Sequence, residues 1–231
     1  MGIFIGLEGI DGSGKSSILE PLVKELNLMG IKAKAISKRK FDYENERISY
    51  YAKTLYNLIW HGREDPHKFV TSEGWLYFHA IWYMILVENE VLPNLDRHDI
   101  IVVDGWYHKI YAKYMLKKNF DMNLLDSVMG SIKKCDMVFM LDVDPNITWK
   151  RRDHYENNEI GGYDFNIDNV DRKEMYIYYQ NKIREKLKLI GQNEKWNIVC
   201  TDKLDIASTT SIIANMILEK MRGSYDKKTR E

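Results

Sequence analysis

Residues 9–16 read G-x-x-x-x-G-K-S, with Gly9, Gly14, Lys15 and Ser16 at the defining positions and Asp11, Gly12 and Ser13 between them. Glycines at this spacing let backbone N–H groups turn toward an anion with no Cβ in the way. A lysine directly after them reaches the β- and γ-phosphates of a nucleoside triphosphate, and the next hydroxyl, on Ser16, is placed to ligate Mg²⁺. The chemistry implied is ATP binding through Gly9, Asp11, Gly12, Ser13, Gly14, Lys15, Ser16 and Ser17. The metal side calls for a carboxylate from a second strand, and Asp104 closes the buried run IIVVD where such an acid belongs. Asp142 and Asp144 in LDVDP are rivals, although that phrase reads more naturally as a strand end and a turn at Pro145.

A loop of this kind works only between a strand and a helix N-terminus, whose positive dipole end faces the anion. The flanking sequence supplies both. Short apolar runs predict strands at 3–8, 31–37, 100–104, 137–142 and 196–200, and their unbroken apolar character suits a parallel sheet covered on both faces. Helical spacing predicts helices over 15–29, 72–95, 106–119, 124–134, 171–191 and 207–222, with Gly30 closing the first and Pro93 bending or ending the second. Strands alternating with helices predict a doubly wound α/β sheet with ligands outside the carboxyl ends of its strands. Residues 154–169 lack a period and carry Gly161 and Gly162; the stretch reads either as a solvated loop or as a lid over a site.

The 231 residues are 45% hydrophobic and 29% charged, as expected of one globular α/β domain spanning 1–231. Lysine plus arginine number 34, as do aspartate plus glutamate, so no global field draws the chain to nucleic acid or membrane, and any anion must be held by local geometry. No apolar run reaches the roughly 18 residues of a membrane span, and the start lacks the layout of a signal peptide. Cys135 and Cys200 stand far apart, which fits a reducing compartment. The expectation is a cytoplasmic protein with a small-molecule phosphate acceptor.

The opening FIGLEGIDGSGKSS resembles that of thymidylate kinases, whose first strand ends in an E-G pair before a D-G-x-G-K-[ST] loop. SEGWLYFHAIWYMILVENEVLPNL is similar in length and proline position to the family's long substrate helix. VVDGWYHKIYAKY, MLDVDPNITWKRR and IVCTDKLD stand where the family carries D-R-Y/H, an L-D-x-x-P…R segment and an adenine-side loop. The resemblance implies a three-layer P-loop kinase fold, a five-stranded parallel sheet in the order 2-3-1-4-5 flanked by helices, and a lid at about 150–169. It further implies Mg·ATP as donor, a nucleoside monophosphate as acceptor, and a homodimer. By this likeness Lys15 is the β/γ-phosphate lysine, Ser16 and Asp104 hold the metal, and Asp11 sits beside the acceptor sugar. With Gly12 rather than arginine in the loop, the catalytic arginine is expected in the lid, where Arg151 and Arg152 qualify.

The acceptor side departs from the family. Gly105 stands where an arginine binds the acceptor phosphate, His79 where a phenylalanine lies under the base, and Tyr83 where a further arginine follows. SKRKFDYE answers the family's R-E-P-G-G phrase with Arg39 alone. Charge-assisted contacts are worth about 1.5–3 kcal/mol each, so their loss weakens a dianionic acceptor. Aromatic residues Trp75, Trp82, Trp106, Tyr107 and Tyr111 take their place, as a floor for a planar or glycosidic acceptor or as ordinary core. Three readings stay open. The first is a kinase of this type acting on something other than dTMP, including a neutral nucleoside or specialised hydroxyl, for which Glu8 or Asp104 is the base. The second is a dTMP kinase whose phosphate is held by Arg39, Lys38, Lys109 or Arg47. The third is a non-catalytic nucleotide-binding module. The acceptor-side candidates are therefore Glu8, Asp11, Arg39, His79, Tyr83, Trp106 and Tyr107.

Overall fold

Four hydrophobic residues in a row, Ile100–Val103, form a strand with every side chain buried, and this strand lies inside the sheet, where both faces need cover. The computed structural model describes residues 2–38, 43–61, 69–162 and 170–228. Its strands are β1 (Ile3–Glu8), β2 (Ala33–Ile36), β3 (Ile100–Val103), β4 (Met137–Asp142) and β5 (Asn197–Cys200). They pair in parallel in the order β2-β3-β1-β4-β5, the order that the resemblance implies. Ile5 stands opposite Val102 on one side and Met137 on the other.

Alternation along β1 and β3 divides the core. Phe4, Ile101 and Val103 face one layer, built largely by α3 (Ser72–Leu86), α5 (His108–Tyr114) and α6 (Met122–Gly130). Ile5, Leu7, Ile100 and Val102 face the other, where Ile18, Leu22 and Leu26 of α1 (Lys15–Leu28) meet Ile213 and Ile217 of α9 (Ile206–Lys228). Helix α1 stops where Gly30 takes a φ of 83°. The long second helix is broken before Pro93: α3 passes into a π-helical turn, Val87–Val91, and then into α4, Leu92–Leu95. Helix α8 (Arg172–Glu194) starts at Asp171, whose carboxylate accepts from the Lys173 and Glu174 amides.

Two helices are absent from the expectations above. Helix α2 (Glu46–Trp60) is capped by Asn45, which accepts from the Arg47 and Ile48 amides. Ile48, Ala52, Leu55 and Ile59 recur at helical spacing along it, so the signal was present. The short α7 (Pro145–Trp149) stands where a turn was expected, with Asp144 capping Asn146 N at 2.7 Å.

Candidate active site

The carboxyl ends of β1, β3 and β4 open on a cleft of about 1000 Å³. Its centre is the loop between β1 and α1. Gly14 stands immediately before α1 with a φ of 101°, which lets the loop deliver the helix N-terminus to an anion. Lys15 Nζ donates to Gly9 O at 2.9 Å, to Ile10 O at 2.8 Å and to Ser13 Oγ at 3.1 Å. Burial, then the Lys109 charge, push its amine down to about 7 against the pull of Asp11 and Glu8. Arg151 closes the loop from the other side, donating from Nη1 to Gly12 O at 2.8 Å.

Ser16 Oγ donates to Asp104 Oδ2 at 2.7 Å. The second oxygen, Asp104 Oδ1, is buried and has no hydrogen-bond partner among the described residues. A hydroxyl and an incompletely bonded carboxylate side by side are hard oxygen donors that fit Mg²⁺. No cluster of three His, Cys, Asp or Glu side chains that could hold a metal occurs among the described residues. The rival acids have other work. Asp142 pairs with Arg184 Nε and with Lys188 Nζ at 2.8 Å, and Asp144 caps α7.

Asp11 is buried against Lys109 Nζ, 2.5 Å away, and its second oxygen accepts from Gln180 Nε2 at 3.1 Å. Burial raises its carboxyl, but the Lys109, Lys113 and Lys15 charges outweigh that and hold it well below the usual range. Glu8 is wholly buried at the end of β1. Its Oε1 accepts from Trp106 N at 2.8 Å and from His108 Nδ1 at 2.9 Å, while Oε2 has no partner among the described residues. Burial works against its charge, and the His108 contact with the Trp106 amide brings its carboxyl below the ordinary value.

The segment expected to form a lid follows α7. Arg152 Nη1 donates to Glu159 Oε1 at 2.9 Å and its guanidinium lies over the Tyr155 ring. Tyr155, Ile160 and Tyr176 form a small core that joins this segment to α8. Of the residues expected in the lid, 163–169 lie outside the described residues, as does Arg39 on the acceptor side.

The remaining acceptor-side candidates separate. Trp106 and Tyr83 line the cleft but are almost wholly buried: Tyr83 OH donates to Trp106 O at 3.1 Å, and Trp106 Nε1 to Lys133 O at 2.8 Å. His79 and Tyr107 are not among the cleft-lining residues. His79 Nδ1 donates to the Trp75 carbonyl one turn back at 2.7 Å, and the Tyr107 ring lies tilted against His108, centroids 4.3 Å apart, so local packing holds both. Trp75 likewise packs on Phe78 and His79. The aromatic side chains with surface toward the cleft are instead Tyr56 and Trp60 of the unforeseen α2 and His61 just after it; Tyr56 and Trp60 pack on Trp82, which is itself wholly buried. Lys38, Lys109 and Lys113 also line the cleft, and Thr201, Leu204 and Asp205 close its far end beside β5.

A five-stranded parallel sheet in this order, with a glycine-rich loop, lysine and serine at the end of its central strand, defines a P-loop kinase. Comparison with known proteins narrows the class. The thymidylate kinase family model matches residues 7–208. The chain is 25% identical over 231 residues to the thymidylate kinase of Prochlorococcus marinus strain MIT 9301, covering 97% of each chain. It is 27% identical over 207 residues to that of Pelodictyon phaeoclathratiforme, covering 88% of this chain and 89% of that one. The solved thymidylate kinase structure from Candida albicans shares the fold with a TM-score of 0.65 at 17% identity, over 95% of this chain and 92% of that one. That from Ehrlichia chaffeensis does so with a TM-score of 0.61 at 18% identity, over 94% and 98%. The chain belongs to the thymidylate kinase family and is a nucleotide kinase.

Proposed function

We propose that this enzyme transfers the γ-phosphate of Mg·ATP to a nucleoside monophosphate whose base lies against the α2–α3 aromatic wall. The observation that carries the reading is the run of cationic side chains in one cleft: Lys15, Lys38, Lys109, Lys113 and Arg151 line the space between loop and aromatic wall. Lys109 and Lys38 act against the charge on Lys15, while the cleft carboxylates Asp11 and Glu8 favour it. An acceptor phosphate can draw charge-assisted hydrogen bonds from such side chains, which a neutral acceptor cannot.

The loop amides and Lys15 hold the donor phosphates, and Ser16 with Asp104 holds Mg²⁺, which when bound neutralises charge on the donor's terminal phosphates. Arg151, already fixed to the loop, faces the transferring group and stabilises charge spread over its equatorial oxygens. An acceptor phosphate oxygen is ionised at neutral pH, so attack requires no general base, which agrees with a Glu8 carboxyl held below its ordinary range. Asp11, fixed by Lys109 and Gln180, stands beside the acceptor sugar. The same reading includes a homodimer: Tyr77, Ile81 and Met84 expose 49, 45 and 39% of their surface in a helical stripe along α3.

The test is transfer of labelled γ-phosphate from ATP to dTMP and other monophosphates, with the nucleoside diphosphate as identified product. Lys15→Ala is expected to lower kcat by about 10²–10³-fold, the scale of one lost charge-stabilising donor. Label released only to water would contradict the proposal.

A further inference from the structure

An ionised carboxylate buried as deeply as that of Glu8 needs a counter-charge close by. Helix α5 brings one. Its first residue, His108, is 2% exposed, and Nδ1 donates to Glu8 Oε1 at 2.9 Å. On the other side of the ring, Nε2 faces a second acid, Glu194 Oε2 at the end of α8, 3.6 Å away. A carboxylate only accepts hydrogen bonds, so the ring form that suits both acids carries a proton on each nitrogen. Tyr107 and a nearly perpendicular Trp196 enclose the ring. Glu194 accepts from Trp196 Nε1 at 3.0 Å and pairs with Lys134 Nζ at 3.4 Å, and its side chain is 32% exposed. Glu8, His108 and Glu194 therefore form a column that ends at solvent.

The inner end of the column meets the turn that carries Asp104. Glu8 Oε1 also accepts from Trp106 N at 2.8 Å, two residues after the acid whose Oδ2 takes the Ser16 hydroxyl at 2.7 Å. One carboxylate oxygen thus joins His108 to the Asp104–Trp106 turn. The titratable groups that act on Glu8 from the surrounding elements are Lys15 of α1, Lys38 after β2, Tyr83 of α3, Tyr107 and Lys109 beside His108, and Cys135 before β4.

We propose that His108 is a positioning residue: an imidazolium held between Glu8 and Glu194 that keeps Glu8 ionised, while Glu8 in turn fixes the turn presenting Asp104 to the metal. The second step rests on the reading of Asp104 as the metal-side acid; the first does not.

Two measurements on the full chain test the two steps. Urea titrations at pH 5 and 7 compare His108→Phe with the double variant Glu8→Gln/His108→Phe. Without His108, burial is expected to lift the Glu8 carboxyl above its ordinary 4.5. The folded chain then keeps a proton that the unfolded chain releases, so stability falls as pH rises. Between pH 5 and 7 the unfolding constant of His108→Phe should grow ~10-fold more than that of the double variant. Equal growth would overturn the counter-charge. The second measurement reads Mn²⁺ binding to the enzyme–ADP complex from the electron paramagnetic resonance signal of the free ion. His108→Phe is expected to weaken binding ~10-fold, and His108→Asn, whose amide can donate to Glu8 as Nδ1 does, to keep it within about three-fold of the parent. Unchanged binding in His108→Phe, where Asp104→Asn weakens it, would overturn the positioning role. Unchanged binding in Asp104→Asn would overturn the Asp104 reading and the second step with it. If His108→Phe does not melt cooperatively, His108→Asn replaces it in the urea comparison with the same outcomes.

Discussion

At the scale of single residues, the site is governed by which charges are buried and what they face. Lys15 is pushed down to about 7 while Asp11 is held below its ordinary range, a division set by burial and by the lysines around them. The same logic reaches His79, which serves packing. Burial first, then the Lys113 and Lys117 charges, push its imidazole down from 6.5 to about 4, against the pull of the Trp75 carbonyl. The unfolded chain then binds a proton that the folded chain refuses, so stability rises with pH through the window from about 4 to 6.5 and is lost on acidification. The contribution is about 3 kcal/mol at most, lessened by the partial exposure of the ring. Urea titrations of the parent and His79→Phe at pH 4.5 and 7 should show a smaller pH dependence in the variant; equal dependence would remove His79 from the account.

At the scale of elements, the segment after α7 and helix α2 supply side chains to the cleft. The two arginines after α7 differ in their partners: Arg151 reaches the loop, and Arg152 pairs with Glu159. Arg151→Ala is therefore expected to lower kcat by ~10²–10³-fold with little change in the KM for ATP, and Arg152→Ala to lower it about ten-fold or less. Equal losses in the two variants would show that both guanidinium groups act on the transferring phosphate. Helix α2 explains why the acceptor wall was only partly legible. Trp82 was visible as an aromatic on the long helix, but its partners Tyr56 and Trp60 come from α2, whose helical spacing is legible in the sequence while its docking beside α3 is a tertiary fact. His79 and Tyr107 were drawn into the site by their place in the chain. The packing that holds them away from the cleft is a tertiary fact.

At the scale of the whole molecule, the strand order follows from apolar runs and family likeness, because parallel strands between helices admit few arrangements. The loop, Ser16 and Asp104 were legible for the same reason: each stands at a strand end beside a fixed spacing. The closeness of Lys38 to Gly105 was not, since Lys38 arrives from another strand through register. The exposed α3 stripe is the surface proposed to pair two copies. Light scattering should give about twice the 27.4 kDa chain mass, and Ile81→Asp should return the monomer; a monomeric parent at micromolar concentration would contradict it. The central claim, a phosphorylated acceptor held in this cleft, is tested most directly by the ratio of kcat/KM for dTMP to that for thymidine, read as Lys15-dependent ADP release. Charge-assisted contacts to the acceptor phosphate predict a ratio of ~10² or more, the scale of one or two such contacts. A ratio near or below one would mean that the acceptor is neutral and the lysines serve the donor alone.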